Sequence, residues 1–361
     1  MSNATEDIRY SVAAMIDYAA ALFAVAGCDG DKPQAIAKGL VEADLLGHTT
    51  HGLQLASVYL SELETGGMLA RGEPEVVADR GATVTWDGRR LPGIWLATRA
   101  VDLAVERAAV LGVGTVAIRK SHHIGCLAVF LQRATDRGFM VTIASSDPAA
   151  ASVAPFGGRK AVFTPNPLAV GIPTDGDPIL IDISASITTN GMAGRLRREG
   201  KRFPGEWAVD DSGVPTDDPT ALVGESPGAL LPVGGMDHGH KGFGLALMVE
   251  ALTQGLSGYG RAESPTGLGA SVFVQVLDPA AFGGAVAFQR ETGWLAGACR
   301  ETPPLPGVDA VRLPGQRGLD RKRRALAEGV ALYPGIMESL QTYAVKFGVT
   351  PPQPIMPRST K

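Results

Sequence analysis

Apolar positions recur every three or four residues along 11-SVAAMIDYAAALFAVAG-27, 31-DKPQAIAKGLVEADLLG-47 and 53-LQLASVYLSEL-63, the period of helices that bury one side. The second segment opens with Asp31 as N-cap and Pro33 in the first turn, and closes at Gly47; the third stops at Gly66-Gly67. From about residue 75 the texture changes to short runs rich in β-branched and aromatic residues: 83-TVTWDG-88, 113-VGTVAIRK-120, 139-FMVTIASS-146, 179-ILIDISAS-186 and 271-SVFVQVLDP-279. Helical patterns at 95–111, 126–137 and 242–256 intervene, and the alternation predicts a mixed α/β layer. Beyond about residue 280 the pattern is helical again, with Pro/Gly-rich loops at 302–317 and helices near 319–345. Helical ends around an α/β middle predict an α/β (α+β) chain of two lobes. One is helical, from residues 1–74 with about 305–350; the other is α/β, from 75–304.

Composition adds limits. The chain has 361 residues, 45% hydrophobic and 19% charged, enough to bury a sizeable core. The stretch 11–27 is apolar enough for a secretory signal, but Asp17 interrupts it and Glu6 and Asp7 precede it, so a buried helix is expected; no other segment approaches a membrane span. With a net charge of −4, the single basic run 321-RKRR-324 reads as a solvated helix face, and neither a nucleic-acid nor a membrane partner is expected. Cys28, Cys126 and Cys299 are scattered without a CxxC, which points to a reducing, cytoplasmic setting.

All six histidines fall in close pairs, His48/His51, His122/His123 and His238/His240, each bordering a glycine near the end of a predicted element. The spacings HxxH, HH and HxH are open to a metal reading, but there is no HExxH and acids do not cluster beside the pairs. Proton transfer by one histidine, with others orienting a cofactor or substrate, is the better reading, and no metal is expected. Thr50 is placed to cap a helix beginning near His51. The positive end of that helix would then lower the histidine's pKa and favour a neutral ring near neutral pH.

No GxGxxG fingerprint is present, and 112-GVG-114 is only a fragment inside a strand pattern. Glycine-rich segments with cations lie instead at 155-PFGGRK-160, 234-GGMDHGHKGFG-244 and 312-RLPGQRG-318, where Lys241, Arg312 and Arg317 are suited to phosphates. A dinucleotide is suggested, on a fold other than Rossmann.

Taken in order, 42-EADLLGHTTHG-52, 121-SHHIG-125, 145-SSDP-148 with 154-APFGG-158, 164-TPNPLAVGIPT-174, 181-IDISAS-186, 204-PGEWAVDDSGVPTDDP-219, 241-KGFGLALMVEAL-252 and 312-RLPG-315 resemble the malate/L-lactate dehydrogenase family. That family has a non-Rossmann nicotinamide-binding fold and includes sulfolactate and ureidoglycolate dehydrogenases, diketogulonate reductase and the piperideine/pyrroline-2-carboxylate reductases. The resemblance spans about residues 42–340. It implies a sulfolactate dehydrogenase-like mixed sheet and hydride transfer between NAD or NADP and a 2-hydroxy or 2-oxo acid. By the same resemblance His51 is the proton donor or acceptor, with Thr50 supporting it. His123, Ile124, Gly125, Ser146, Thr164, Asp182, Ser184, Lys241, Arg312, Gly315 and Arg317 contact the cofactor, and the protein is a homodimer.

Two departures bear on the substrate. Leu55 stands where members often carry a carboxylate-binding arginine, and Met192 where many have an aspartate or lysine. His48, Leu55, Met192 and Arg195 are the candidate substrate contacts, with Arg195 or Arg159 as a replacement cation. Weak activity on malate and lactate is expected, with preference for a bulkier or less charged compound. The alternatives are a cyclic imine reductase of the piperideine/pyrroline-2-carboxylate type, a metal-dependent hydrolase built on the paired histidines, and a non-enzymatic binding module.

Overall fold

The computed structural model describes residues 8–355, so Glu6, Asp7 and the first residues of the expected helical lobe lie outside it. The amino-terminal strand β1 (Arg9–Tyr10) leads into α1 (Val12–Val25), α2 (Lys32–Leu46) and α3 (Ala56–Thr65). The 11–27 stretch is the buried helix its pattern predicts: Met15, Leu22 and Phe23 are fully buried, and the Ser11 hydroxyl caps the helix at the Ala14 N–H. Asp31 precedes α2 but does not cap it, because its carboxylate accepts the Trp95 indole N–H at 2.7 Å. No helix among the described residues is long and apolar enough to cross a membrane.

The middle of the chain builds the sheet: β2 (Glu75–Asp79), β3 (Thr83–Asp87), α4 (Gly93–Leu111), β4 (Val113–Ser121), α5 (Gln132–Thr135), β5 (Met140–Ser146), β6 (Pro167–Ile172) and β7 (Ile179–Ser184). Then come α6 (Asn190–Arg198), the short strands β8 (Ala208–Val209), β9 (Pro215–Thr216) and β10 (Ala229–Leu230), α7 (Gly235–His238), α8 (His240–Glu250), β11 (Ala270–Leu277), α9 (Ala285–Glu301), α10 (Gln316–Glu328), β12 (Val330–Ala331) and α11 (Ile336–Phe347). Seven strands form a mixed sheet in the order β2-β3-β4-β11-β5-β6-β7, antiparallel except for β3 and β4, which α4 connects. β11 enters the centre late in the chain and pairs with both β4 and β5.

Two strands escape the apolar pattern. β2 is exposed along its whole length, and β6 opens on Pro167 and contains Gly171. The expected helix at 126–137 is instead a 3-10 turn, Leu127–Phe130, followed by the four-residue α5. The 242–256 helix begins at His240, and its last turn, Ala251–Gly255, widens to a π-helix.

One apolar core runs from α1 and α2 through α4 into the sheet and takes in Leu319, Ile336, Leu340 and Ala344 from the carboxy-terminal helices. The two ends of the chain also meet directly, since β1 pairs with β12. The basic run of α10 is an exposed helix face, as its pattern predicts, with two of its cations paired: Lys322 meets Glu42 at 2.6 Å and Arg323 meets Asp177 at 2.9 Å. A second small core, with Val153, Phe163, Phe203 and Ala246, underlies α6 and the three-stranded sheet.

Candidate active site

The site begins at the end of α2. The acid Asp44 is buried in this helix, four residues after Leu40 and eight after Ile36 on its apolar face. Its Oδ2 accepts the Leu53 N–H at 2.8 Å, which caps the 3-10 turn Leu53–Leu55. Asp44, not Thr50, therefore fixes the 47–53 loop. Its other oxygen is buried without a partner, and burial pushes its pKa up to about 7.

Thr50 has a different task. Its hydroxyl lies 2.9 Å from His51 Nδ1. His51 sits before the helical turn rather than in it, so the helix end does not set its charge. Its pKa is lowered to about 4 because burial disfavours the cation and His48 adds like charge. The direction agrees with the sequence reading; the cause is desolvation.

The ring of His123 stacks on His51 with centroids 6.1 Å apart. Buried Tyr59 holds it, with the hydroxyl 2.7 Å from His123 Nδ1, and the Gly125 N–H approaches the same nitrogen at 3.3 Å. Burial raises the Tyr59 pKa and keeps the phenol protonated, so Nδ1 is the acceptor and Nε2 carries the hydrogen. Burial drives the His123 pKa down to about 3. The turn carrying both histidines fits only because Gly93, at the start of α4, has no side chain: a Cβ there would lie 2.1 Å from the His122 carbonyl oxygen. His122 is fully buried against Glu62 and Tyr59.

Among the other candidates, Ile124 is buried, and Gly125 continues the turn with φ +70° beside the His51 carbonyl. Asp182 on the edge strand β7 accepts the Ala128 N–H at 2.9 Å and the Cys126 thiol at 3.4 Å. The 312–317 loop docks at the start of this strand, where the Leu180 N–H donates to the Pro314 carbonyl at 3.1 Å. Gly315, at φ +85°, permits that contact, since a Cβ would come within 2.6 Å of Leu180. Arg312 on the loop and Arg317 in the first turn of α10 are exposed. Just past the far end of β7, Gly242 lies close to the Ala185 carbonyl, and the exposed Lys241 directly precedes it in the chain. Cations thus flank both ends of one sheet edge.

Three hydroxyls look inward instead. Ser146 is bound by Thr253 at 2.7 Å and Gln254 at 2.9 Å from the π-helical turn. Thr164 donates to Asn166 at 2.8 Å, and Ser184 donates to the Ser186 carbonyl at 2.8 Å.

Helix α6 approaches the histidine loop from the other side. Residues 191 and 195 share a face. Gly191 lies against Thr50, and Arg195 donates to Thr49 at 3.1 Å and Gln54 at 3.0 Å while stacking on Tyr333 at 3.8 Å. Met192 is exposed, and Leu55 is half buried against the main core. Arg159 does not join this group. With Asn190, Gly194 and Arg197 it lines a cavity of 970 Å³ on the opposite face of α6. The third histidine pair is also elsewhere, exposed, with His240 edge-on to Phe156 at 5.8 Å. The pairs do not converge on a common metal position. Tyr59 and Asp44 are the residues that sequence reasoning missed; the acid on the apolar Ile36–Leu40 stripe was a visible signal.

A half-buried histidine with a lowered pKa lies beside a second oriented imidazole, on a mixed sheet without a Rossmann turn. The likeness to known proteins covers nearly the whole chain. The chain matches the malate/L-lactate dehydrogenase family over residues 10–341 and belongs to it, as a dehydrogenase/reductase. It is 32% identical over 324 residues to an L-lactate dehydrogenase of Cupriavidus necator, covering 88% of this chain and 91% of that protein. It is 31% identical over 347 residues to a Delta(1)-pyrroline-2-carboxylate/Delta(1)-piperideine-2-carboxylate reductase of Pseudomonas syringae pv. tomato, covering 91% and 94%. The crystal structure of a malate dehydrogenase from Entamoeba histolytica superposes with a TM-score of 0.89 at 25% identity, covering 95% of this chain and 98% of that one. The fold is therefore the mixed-sheet fold of malate and sulfolactate dehydrogenases, and the hydrolase alternative has no support.

Proposed function

We propose that the protein is a nicotinamide-dependent oxidoreductase acting on a 2-oxo or 2-hydroxy acid, or on a cyclic imine bearing the same carboxylate, with His51 moving the proton. The observation that carries this reading is His51 itself. Nδ1 is held by Thr50 at 2.9 Å, the ring is stacked at 6.1 Å on the fixed His123, and Nε2 has no protein partner among the described residues. Nε2 exchanges the proton with the substrate oxygen or imine nitrogen. With Nε2 as the exchanging atom, Nδ1 keeps its hydrogen in both states of the ring, and the Thr50 hydroxyl accepts it throughout.

The residues fit a dinucleotide: edge strand β7 has exposed Arg312 and Arg317 at one end and exposed Lys241 at the other, with Asp182 and Ser184 between. Bound there, NAD or NADP supplies or accepts the hydride. His123, Ile124 and Gly125 form the neighbouring wall, and His123 Nε2–H is the donor this wall presents. Inward-facing Ser146 and Thr164 position backbone rather than meet the cofactor directly. Arg195 binds the substrate carboxylate, exchanging its neutral acceptors Thr49 and Gln54 for a charge-assisted pair. His48 and Leu55 border the substrate, and Met192, exposed at 37%, lies at the mouth. The cyclic imine reading is supported by the likeness to the Pseudomonas reductase over 91% of the chain.

We also propose a cytoplasmic homodimer, in keeping with three unpaired cysteines. In the proposed division, 1–74 with about 305–350 act as the helical lobe and 75–304 as the cofactor-carrying lobe, in keeping with the β1–β12 pairing of the chain ends. The test is fluorescence titration with NADH and NADPH, followed by turnover with His51→Ala. Binding of at least one cofactor is expected, with the chemical step of the variant lowered by ~10²–10⁴-fold and its cofactor affinity little changed. Binding of neither cofactor removes the reading, and equal losses for His48→Ala and His51→Ala remove the assignment of His51.

A further inference from the structure

Three side chains of different chemistry meet one short stretch of chain away from His51. His48 follows the left-handed Gly47 that ends α2, Cys126 precedes the 3-10 turn at Leu127, and Asp182 lies in β7. One ligand atom from each lies within 4.8 Å of the other two. Cys126 is buried, and the other two are half buried. The carboxylate is already oriented, because Asp182 Oδ2 takes both the Ala128 N–H at 2.9 Å and the thiol at 3.4 Å, which leaves Oδ1 without either tie. The His48 side chain has no hydrogen bond among the described residues.

From this geometry we infer that His48, Cys126 and Asp182 form a binding site for one borderline-soft divalent cation such as Zn²⁺ or Co²⁺, and that filling it stops turnover. A nitrogen, a sulfur and an oxygen are a ligand set for zinc; calcium and magnesium want several oxygens and find one carboxylate here. With bonds of about 2.0–2.3 Å, ligands of a tetrahedral zinc lie roughly 3.3–3.8 Å apart. The cluster therefore needs to close by about 1 Å, a side-chain adjustment rather than a backbone one. The Ala128 N–H on Asp182 is the kind of outer contact that holds a ligating carboxylate in place. On binding, the Cys126 thiol gives its proton to solvent and ligates as thiolate. Three protein ligands leave a fourth position for water. The arrest of turnover rests on the proposed function, since the cation would occupy His48 and Asp182, which that reading gives to substrate and cofactor.

The site is tested first without any substrate. Metal-free full-length protein is titrated with Co²⁺ and followed by absorption. A thiolate-to-cobalt charge-transfer band that saturates at about one equivalent is expected, with visible bands of a four-coordinate ion and displacement by Zn²⁺. Cys126→Ala should abolish the charge-transfer band and weaken binding by more than the ~10–100-fold that loss of an outer-shell partner costs. Its circular dichroism and metal-free turnover should be unchanged. Cys126→Ser, close in size, serves the same purpose if the alanine variant does not fold. Cys28→Ala and Cys299→Ala should keep the band. A band that survives in Cys126→Ala, or no band in wild type at saturating Co²⁺, overturns the site. Turnover is then measured with Zn²⁺ added. Loss in wild type but not in Cys126→Ala is expected, and full activity of the zinc-loaded wild type overturns the claim of arrest while leaving the spectroscopic site standing. If no nicotinamide binds at all, the proposed function fails and the cobalt spectrum still decides the site.

Discussion

His51 Nδ1 and the Thr50 hydroxyl are 2.9 Å apart, and burial holds the imidazole neutral down to about pH 4. A base with that pKa is still deprotonated at pH 6, so kcat/KM for alcohol oxidation should change by less than about twofold between pH 8 and pH 6. An ordinary histidine near 6.5 would lose roughly fourfold over the same range. Reduction needs the protonated ring and should rise as pH falls. A kcat/KM profile for oxidation that breaks near 6.5 would show that burial does not lower the pKa of this ring in the free enzyme. At the substrate end the two readings of the sequence, an apolar wall and a relocated arginine, make different predictions. Leu55 predicts an apolar wall and weak use of malate and lactate, yet Arg195 reaches Thr49 and Gln54 beside the histidine loop. A panel of small 2-oxo acids run on wild type, Leu55→Arg and Arg195→Ala separates the two. We expect Arg195→Ala to raise KM by ~10²-fold or more, in line with loss of about 3 kcal/mol from a charge-assisted pair, and Leu55→Arg to gain little. Efficient turnover of malate with Arg195 removed would sink this account. His51, Thr50 and His123 drew notice in the sequence through the close histidine pairs and the family resemblance, and the structure brings the three together. Tyr59 was not, because an aromatic residue on an apolar helix face reads as core until its hydroxyl is seen 2.7 Å from a ring nitrogen.

At the scale of elements, the 47–53 histidine loop hangs on one buried acid. Asp44 caps the Leu53 turn with one oxygen and leaves the other without a partner, and burial raises its pKa to about 7. An acid with a raised folded pKa binds more protons in the native state than in the unfolded one, where the value is near 3.9. Its contribution to stability is therefore full below about pH 3.9, is lost as pH rises toward 7, and stays lost above that. Asp44→Asn keeps an acceptor for Leu53 and removes the charge. Its Tm relative to wild type should climb from pH 4 to pH 7 and level off above; a difference that is flat across that range would mean the carboxylate is ionised throughout. The buried histidines act in the opposite sense, since their lowered pKa values cost stability as pH falls below about 6.5. The comparison between two Asp44 variants cancels that shared background. Long amphipathic helices such as α1 and α4, and strands with alternating burial, were readable because one face is buried over many residues. β2 was not, since it buries neither face, and β6 was masked by Pro167 and Gly171. The π-helical turn at 251–255 had no sequence signature at all; it is recognisable only because Thr253 and Gln254 turn inward onto Ser146.

On the scale of the whole molecule, α8 and its π-helical continuation present a surface that a lone chain leaves uncovered. Gly244, Leu247, Met248, Ala251 and Gly255 are exposed at helical spacing with no charge among them, and Leu256 beside them is 60% exposed. Helices that face water carry polar residues on that side, so this stripe is suited to a second copy, in keeping with the proposed homodimer. The opposite side of the same segment packs Phe243 on Phe163 and binds Ser146 through Thr253 and Gln254, and its first turn carries Lys241. A partner seated on the stripe would thus brace the helix that carries Lys241, the cation given to the cofactor in the proposed function. Sedimentation analysis should give about 75 kDa, twice the 37.5 kDa chain. Leu247→Glu with Met248→Glu would bury two unpaired carboxylates at such an interface, a cost of several kcal/mol, and should shift the protein to the monomer mass. Trp294→Glu, on the exposed side of α9, should not. If Lys241 depends on the partner for its position, the double variant should also bind NADH or NADPH more weakly while keeping its circular dichroism. A double variant that stays dimeric places the interface elsewhere, and a monomeric variant with unchanged cofactor affinity shows that each chain positions Lys241 alone.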